Sequence, residues 1–164
     1  YRLVRYADDF VIVCQTKAQA EEAQTQVTRI LNQLGLQLSA EKTRITTYGK
    51  GYSFLGFWIS SRSRRMRPKS LKKFKDKIRE MTCRKHNFEA QVIVNVNRVI
   101  RGTAQYFATP FFTAKESFHK LDSWIRMRLR SMKFKRRNLD DNRRMRDRAL
   151  ERLGLLTLES FCQT

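Results

Sequence analysis

Leu3-Val4-Arg5-Tyr6-Ala7-Asp8-Asp9-Phe10-Val11-Ile12-Val13-Cys14 decides how the rest of the chain is read. Apolar and β-prone residues fill both flanks, and two adjacent carboxylates interrupt them. The pattern predicts two strands with the acidic pair at a tight hairpin turn, where side chains project beyond the sheet. Adjacent carboxylates repel, and isolated charges beside a hydrophobic sheet are costly. A divalent cation removes that conflict, because hard oxygen ligands suit Mg²⁺. The competing reading is a solvated Asp-Asp turn, which is common in hairpins.

Downstream of the hairpin, Lys17 to Leu34 predicts an amphipathic helix. Ala20, Ala23, Val27, Ile30, Leu31 and Leu34 share one face, and Gly35 stands where a helix stop is expected. Leu36-Gln37-Leu38 and Thr43 to Tyr48 read as short strands around a turn at Ser39 to Lys42. Tyr52 to Ile59 reads as an aromatic strand or tight hairpin, broken by Gly56. Composition changes at Ser60, and residues 61–69 read as a basic linker. Three helices follow. Their stripes are Leu71, Phe74, Ile78 and Met81, then Val92, Val96, Val99, Ile100 and Phe107, then Phe118, Leu121, Ile125, Leu129 and Met132. Thr113-x-x-Glu116 is a capping box for the third. A short helix is expected from about Asn142 to Leu153, closed by Gly154. The fold class is α+β, with boundaries at 1–60, 61–69, 70–137 and 138–164.

The chain has 164 residues and a net charge of +20, with 41% hydrophobic residues. Residues 1–60 carry 7 Lys/Arg against 5 Asp/Glu, whereas 61–164 carry 28 against 10. This asymmetry predicts a polyanion-binding half joined to a near-neutral one; nucleic acid fits better than an anionic membrane surface. No apolar run reaches transmembrane length, and no secretory signal is visible. Cys14, Cys83 and Cys162 lie far apart, which argues for a reducing compartment and against a disulfide scaffold. His86 and His119 are isolated from the cysteines, so a zinc site is not expected. Asp122 is expected to orient a neighbouring arginine rather than bind metal.

Five segments in order carry a family resemblance. Tyr6-Ala7-Asp8-Asp9-Phe10 resembles the catalytic box of reverse transcriptases, in the form typical of group II intron-encoded proteins. Leu34 to Thr43 resembles the next palm block, and Phe54-Leu55-Gly56-Phe57 resembles the primer grip. Gly102 to Phe107 and Leu121 to Arg130 resemble the thumb, also called the maturase or X domain. The resemblance implies a partial polymerase palm, an antiparallel sheet with one packed helix. An all-α three-helix thumb and a basic C-terminal extension follow it.

By that resemblance Asp8 and Asp9 bind the catalytic Mg²⁺ ions, and Lys42 assists departure of pyrophosphate. An ordinary exposed turn lysine is the alternative for Lys42. Phe54, Leu55 and Gly56 match the primer grip. The family's third metal-binding aspartate and its fingers lie upstream of the catalytic box. The abrupt start at Tyr1 therefore reads as a fragment, a cleaved product or a trimmed chain. Such a chain is expected not to polymerise alone, and one half of a split enzyme is an alternative. The sheet of residues 1–60 is expected to have an open edge and an uncovered face.

One-sided charge with few acids for i,i+4 pairing repels itself unless phosphates neutralise it. The candidate nucleic-acid contacts are Arg62, Arg64, Arg65, Arg67, Lys72 and Lys73, then Arg126, Arg128, Arg130, Lys133, Lys135, Arg136 and Arg137. A solvated helix surface is the bland alternative. The expected partners are intron RNA, an RNA template and an RNA–DNA hybrid, read mostly by shape. A non-catalytic RNA-binding module is the second function class. The expected location is the bacterial cytoplasm, with an organelle as the alternative.

Overall fold

The computed structural model describes residues 1–162. The protein is mixed α and β, with two small antiparallel sheets and six α-helices among the described residues. Backbone contacts divide the chain into two units, Tyr1–Leu55 with Ile59–Arg62, and Gly56–Trp58 with Ser63 onward.

In the first unit, β1 (Arg2–Tyr6) and β2 (Asp9–Val13) pair antiparallel, with Leu3 opposite Ile12 and Tyr6 opposite Asp9. α1 (Lys17–Gln33) begins at Thr16, whose side chain accepts the Gln19 N–H and satisfies one of the open donors of the first turn. It ends at Leu34, and Gly35 turns the chain with φ 71°. Ala23 is buried on its inner face. Leu3, Val4, Tyr6 and Val13 are each more than half exposed, so much apolar hairpin surface stays open to water.

The strands expected at 36–38 and 43–48 do not form. Extended segments become ladders only when a neighbouring strand takes their N–H and C=O groups. Here the Thr43 and Lys42 amides turn back to the Ser39 carbonyl, at 2.8 and 3.1 Å, and close a turn instead.

β3 (Tyr52–Phe54), β4 (Phe57–Ile59) and β5 (Arg64–Met66) make the second sheet, in that order. The stretch expected as a basic linker therefore holds β5 and the start of a helix. Met66 is the reason: its side chain is buried and pins the strand inward.

The second unit owns the apolar core. α2 (Pro68–Met81) starts with proline at a position where no N–H is needed. α3 (Ala90–Phe107) buries Ile93, Val96, Ile100, Ala104 and Phe107, one stripe at helical spacing. α4 (Lys115–Lys133) buries Phe118, Leu121, Ile125, Leu129 and Met132. Each such side chain contributes about 1.5–3 kcal/mol when removed from water. The Phe112 and Phe118 rings stack at 4.5 Å between centroids.

The expected capping box at Thr113 is not made. Ala114 is the N-cap of α4 and supplies no side-chain bond. Thr113 pairs with β5 instead: its hydroxyl accepts the Arg64 N–H at 2.8 Å, and its N–H donates to the Arg64 carbonyl at 3.1 Å.

The single helix expected near 142–153 is two pieces, α5 (Asp141–Arg144) and α6 (Asp147–Arg152). Met145 leaves helical geometry between them (φ −132°, ψ 88°) and buries its side chain. Leu150, Leu155 and Leu158 complete the same core, and a 3₁₀ turn spans Glu159–Phe161.

Candidate metal hairpin and nucleic-acid interface

The turn of the first hairpin has two residues, Ala7 and Asp8. Ala7 takes φ 53°, a left-handed value in the sense of a primed hairpin turn, whose twist matches the strands it joins. A non-glycine residue there is strained. The Arg5 Nε–H donates to the Ala7 carbonyl at 2.7 Å and fastens the strained peptide. Asp8 thus occupies the turn and Asp9 opens β2, directly across from Tyr6. Both carboxylates are exposed. The sequence reading put both in the turn; the structure divides the pair between turn and strand.

Lys42 is exposed, in the turn that follows Ser39. It lines a cavity of about 520 Å³ together with Phe10, Val11 and Ile12 of β2 and Val27 of α1. The lysine and the strand that Asp9 begins thus line one cavity. The two aspartates are not on that lining.

Phe54 ends β3, and Leu55 and Gly56 form the β3–β4 turn. Leu55 and Gly56 both take positive φ, 46° and 81°, as a type I′ turn requires. The Gly56 carbonyl accepts the Arg67 N–H at 2.9 Å and the Ser70 hydroxyl at 3.1 Å, both from the start of α2. A Cβ on Gly56 would lie 3.3 Å from Ser70 Oγ and 3.5 Å from Phe107 Cζ. Phe57 packs on Phe107 at 4.8 Å and on Tyr106 at 5.7 Å. Gly56→Ala should therefore lower stability by about 1–2 kcal/mol, chiefly through the left-handed backbone. The midpoint of urea unfolding measures it, and an unchanged midpoint contradicts the turn geometry.

The cationic candidates separate into two groups by what their donors touch. Arg128 gives its guanidinium to Thr82 Oγ1 at 3.1 Å and to the carbonyls of Thr82 and Arg79 at 2.9 and 3.2 Å. Burial, with Arg79 and Arg84 nearby, pulls its pKa below the ordinary arginine value. Arg130 is buried; it bonds the Met145 carbonyl at 2.7 Å and pairs with Asp147. Arg126 meets the other oxygen of Asp147 at 3.1 Å. Arg136 reaches the buried Asp141 at 3.1 Å, and Lys135 donates to the His86 carbonyl. Lys133 lies 5.6 Å over the Phe88 ring. These contacts tie elements of the unit together.

Arg62, Arg65, Lys72, Lys73 and Arg137 are exposed side chains that open to solvent. Arg64 and Arg67 are half-buried beside the β3–β4 turn, and the Arg67 Nε–H is buried without a hydrogen-bond partner among the described residues. Sequence reading missed Asp147 as the partner of two arginines, because 17 residues separate it from Arg130 and no periodicity links them.

Asp122 does not orient an arginine. Its two oxygens accept the backbone N–H groups of Leu158 at 2.8 Å and Glu159 at 3.1 Å, and so cap the 3₁₀ turn. Burial pushes its pKa up against the pull of those two donors. A native carboxyl with a raised pKa holds its proton more tightly than the unfolded chain does. It adds stability below the unfolded value, about 3.9, and that contribution is lost as pH rises through the folded value. The melting-temperature advantage of wild type over Asp122→Asn should thus narrow as pH rises above about 4. A gap that widens with pH contradicts this assignment.

His119 lies 3.0 Å from Glu159, and among the described residues no group of three His, Cys, Asp or Glu side chains could hold a metal ion. No helix among them is long and apolar enough to cross a membrane.

The acidic hairpin and the cation-rich helical unit each fall in a segment that matches a known protein family. Residues 1–59 match the reverse transcriptase (RNA-dependent DNA polymerase) family, and residues 71–152 match the group II intron, maturase-specific domain. The second match covers half of the 164 residues, and the chain belongs to the group II intron reverse transcriptase/maturase family. No curated protein matches the chain significantly.

Proposed function

We propose that this chain supplies the last part of the palm and the thumb of an enzyme that copies RNA into DNA. The observation that carries the reading is the turn at Ala7-Asp8-Asp9: two neighbouring exposed carboxylates on a fastened, strained hairpin. Asp8 and Asp9 are the oxygen donors for Mg²⁺, and an aspartate outside this chain completes the set. Mg²⁺ would there lower the pKa of the primer hydroxyl and neutralise charge on the triphosphate. Lys42, which shares a cavity lining with β2, stabilises charge on the departing pyrophosphate in this reading. The turn at Phe54, Leu55 and Gly56 supports the primer end. The exposed cations of the second unit hold the phosphates of a template–primer duplex or of intron RNA, and so favour the folded intron.

The test is Mg²⁺-dependent extension of a DNA primer on an RNA template. The expected result is synthesis by this chain reconstituted with a fingers–palm segment that carries the third aspartate, and none by this chain alone. Synthesis by the chain alone contradicts the shared metal site. No synthesis on reconstitution, with RNA affinity retained, contradicts the catalytic reading and leaves an RNA-binding, maturase-like module.

A further inference from the structure

A hollow of about 740 Å³ opens between α4 and the segment from Arg137 to Asp147. Part of its lining is cross-linked by ion pairs. The two oxygens of Asp147 are divided between Arg126 and Arg130; Arg126 also donates to Ser123 Oγ at 3.1 Å. The lining also carries Arg137 and Arg146, exposed and in no ion pair among the described residues. Four guanidinium groups against one carboxylate leave three positive charges in excess. Excess like charge in one concavity focuses a field that attracts an anion.

Charge is not the whole lining. Met127 and Leu139 add apolar surface, and Leu139 is 84% exposed at the rim. Asn138 and Asn142 add amides. A paired RNA stem stacks its base faces inside and presents sugar, phosphate and minor-groove edges, which leaves the apolar surface without a counterpart. An unpaired nucleotide uses all three features. Its phosphate meets the arginines, its base face meets Leu139 and Met127, and its edge meets the asparagine amides.

We infer that this hollow takes one unpaired nucleotide, with its phosphate, from a bulge or loop of an RNA. The inference rests on the RNA-binding reading above and names the feature of RNA that this surface selects.

Fluorescence anisotropy with the full chain tests it, using two labelled RNA hairpins that differ by a single bulged nucleotide. Wild type should bind the bulged hairpin roughly tenfold tighter, an effect of the size of one stacked base. Arg137→Ala with Arg146→Ala should abolish that preference and make the salt slope shallower by about one per lost phosphate contact. Leu139→Ser should lose the preference while keeping the salt slope. Lys72→Ala with Lys73→Ala, on α2, should weaken both hairpins alike. The inference is overturned if wild type binds the two hairpins equally, or if the double arginine variant keeps the preference. If wild type binds neither hairpin with salt-sensitive affinity, the RNA-binding reading itself fails. Arg137 and Arg146 are exposed, so both variants should melt with the wild type, which keeps a binding loss distinct from unfolding.

Discussion

Asp9→Asn should lower Mg²⁺-dependent, RNA-templated DNA synthesis about a thousandfold, the rate equivalent of roughly 4 kcal/mol. Asp8→Asn should do the same. The amide keeps the size of the side chain and one hydrogen-bonding oxygen. It removes the negative charge that a hard cation needs. Neither side chain is buried in the core, so the hairpin should fold unchanged. RNA affinity should also persist, because the exposed cations of the second unit are separate residues. The measurement is single-nucleotide incorporation by the reconstituted polymerase, with RNA binding followed in parallel. A loss of less than tenfold in both variants contradicts the metal assignment. A parallel loss of RNA affinity contradicts the division between a catalytic hairpin and a phosphate-reading unit.

Arg130→Ala should destabilise the protein by about 3 kcal/mol, the scale for breaking a buried charged contact. Sequence marks Arg130 as one of a run of exposed phosphate contacts. In the structure it is 7% exposed and donates to the Met145 carbonyl at 2.7 Å. That carbonyl belongs to the residue that breaks the chain between α5 and α6. Removal of the guanidinium strands it beside the core and leaves the Asp147 oxygen without its partner. Arg137→Ala, a few residues beyond the same helix, should change stability by less than about 0.5 kcal/mol, as exposed substitutions do. Chemical unfolding of the two variants measures the contrast. Equal stability would place Arg130 back among the solvated arginines.

These two residues show where sequence reading is sharp and where it stops. The first hairpin was legible because alternation and turn residues are local patterns, but its register was not, since the turn is Ala7-Asp8 and Asp9 pairs with Tyr6. α1 to α4 were legible from apolar stripes alone. Their ends were less so. Thr113 looked like a cap, but its hydroxyl meets Arg64, 49 residues away. The stretch at 61–69 looked like a linker because charge masked Met66, the side chain that anchors β5. The break at Met145 came from burial of one side chain, which no helical periodicity encodes. The 43–48 segment has β-branched residues but no strand that pairs with its backbone among the described residues, and propensity cannot supply one.

The charge run on α4 gives the same lesson for the site. Composition identified a cation-rich half. It could not say which cations face outward, because that depends on carboxylates and carbonyls brought in from distant positions. Asp147, Thr82 and Met145 take three of the predicted contacts into the structure. Arg137 and Arg146 stay outside, and Arg146 carried no motif at all.

The most direct measurement is the salt dependence of RNA affinity for the intact chain. Each phosphate neutralised by Lys or Arg releases counterions, and the logarithm of affinity falls with that of salt by about 0.7–0.9 per contact. A surface with at least four engaged cations predicts a slope of about −3 or steeper. A slope near zero, at any affinity, would contradict the account of the second unit as a reader of RNA phosphates.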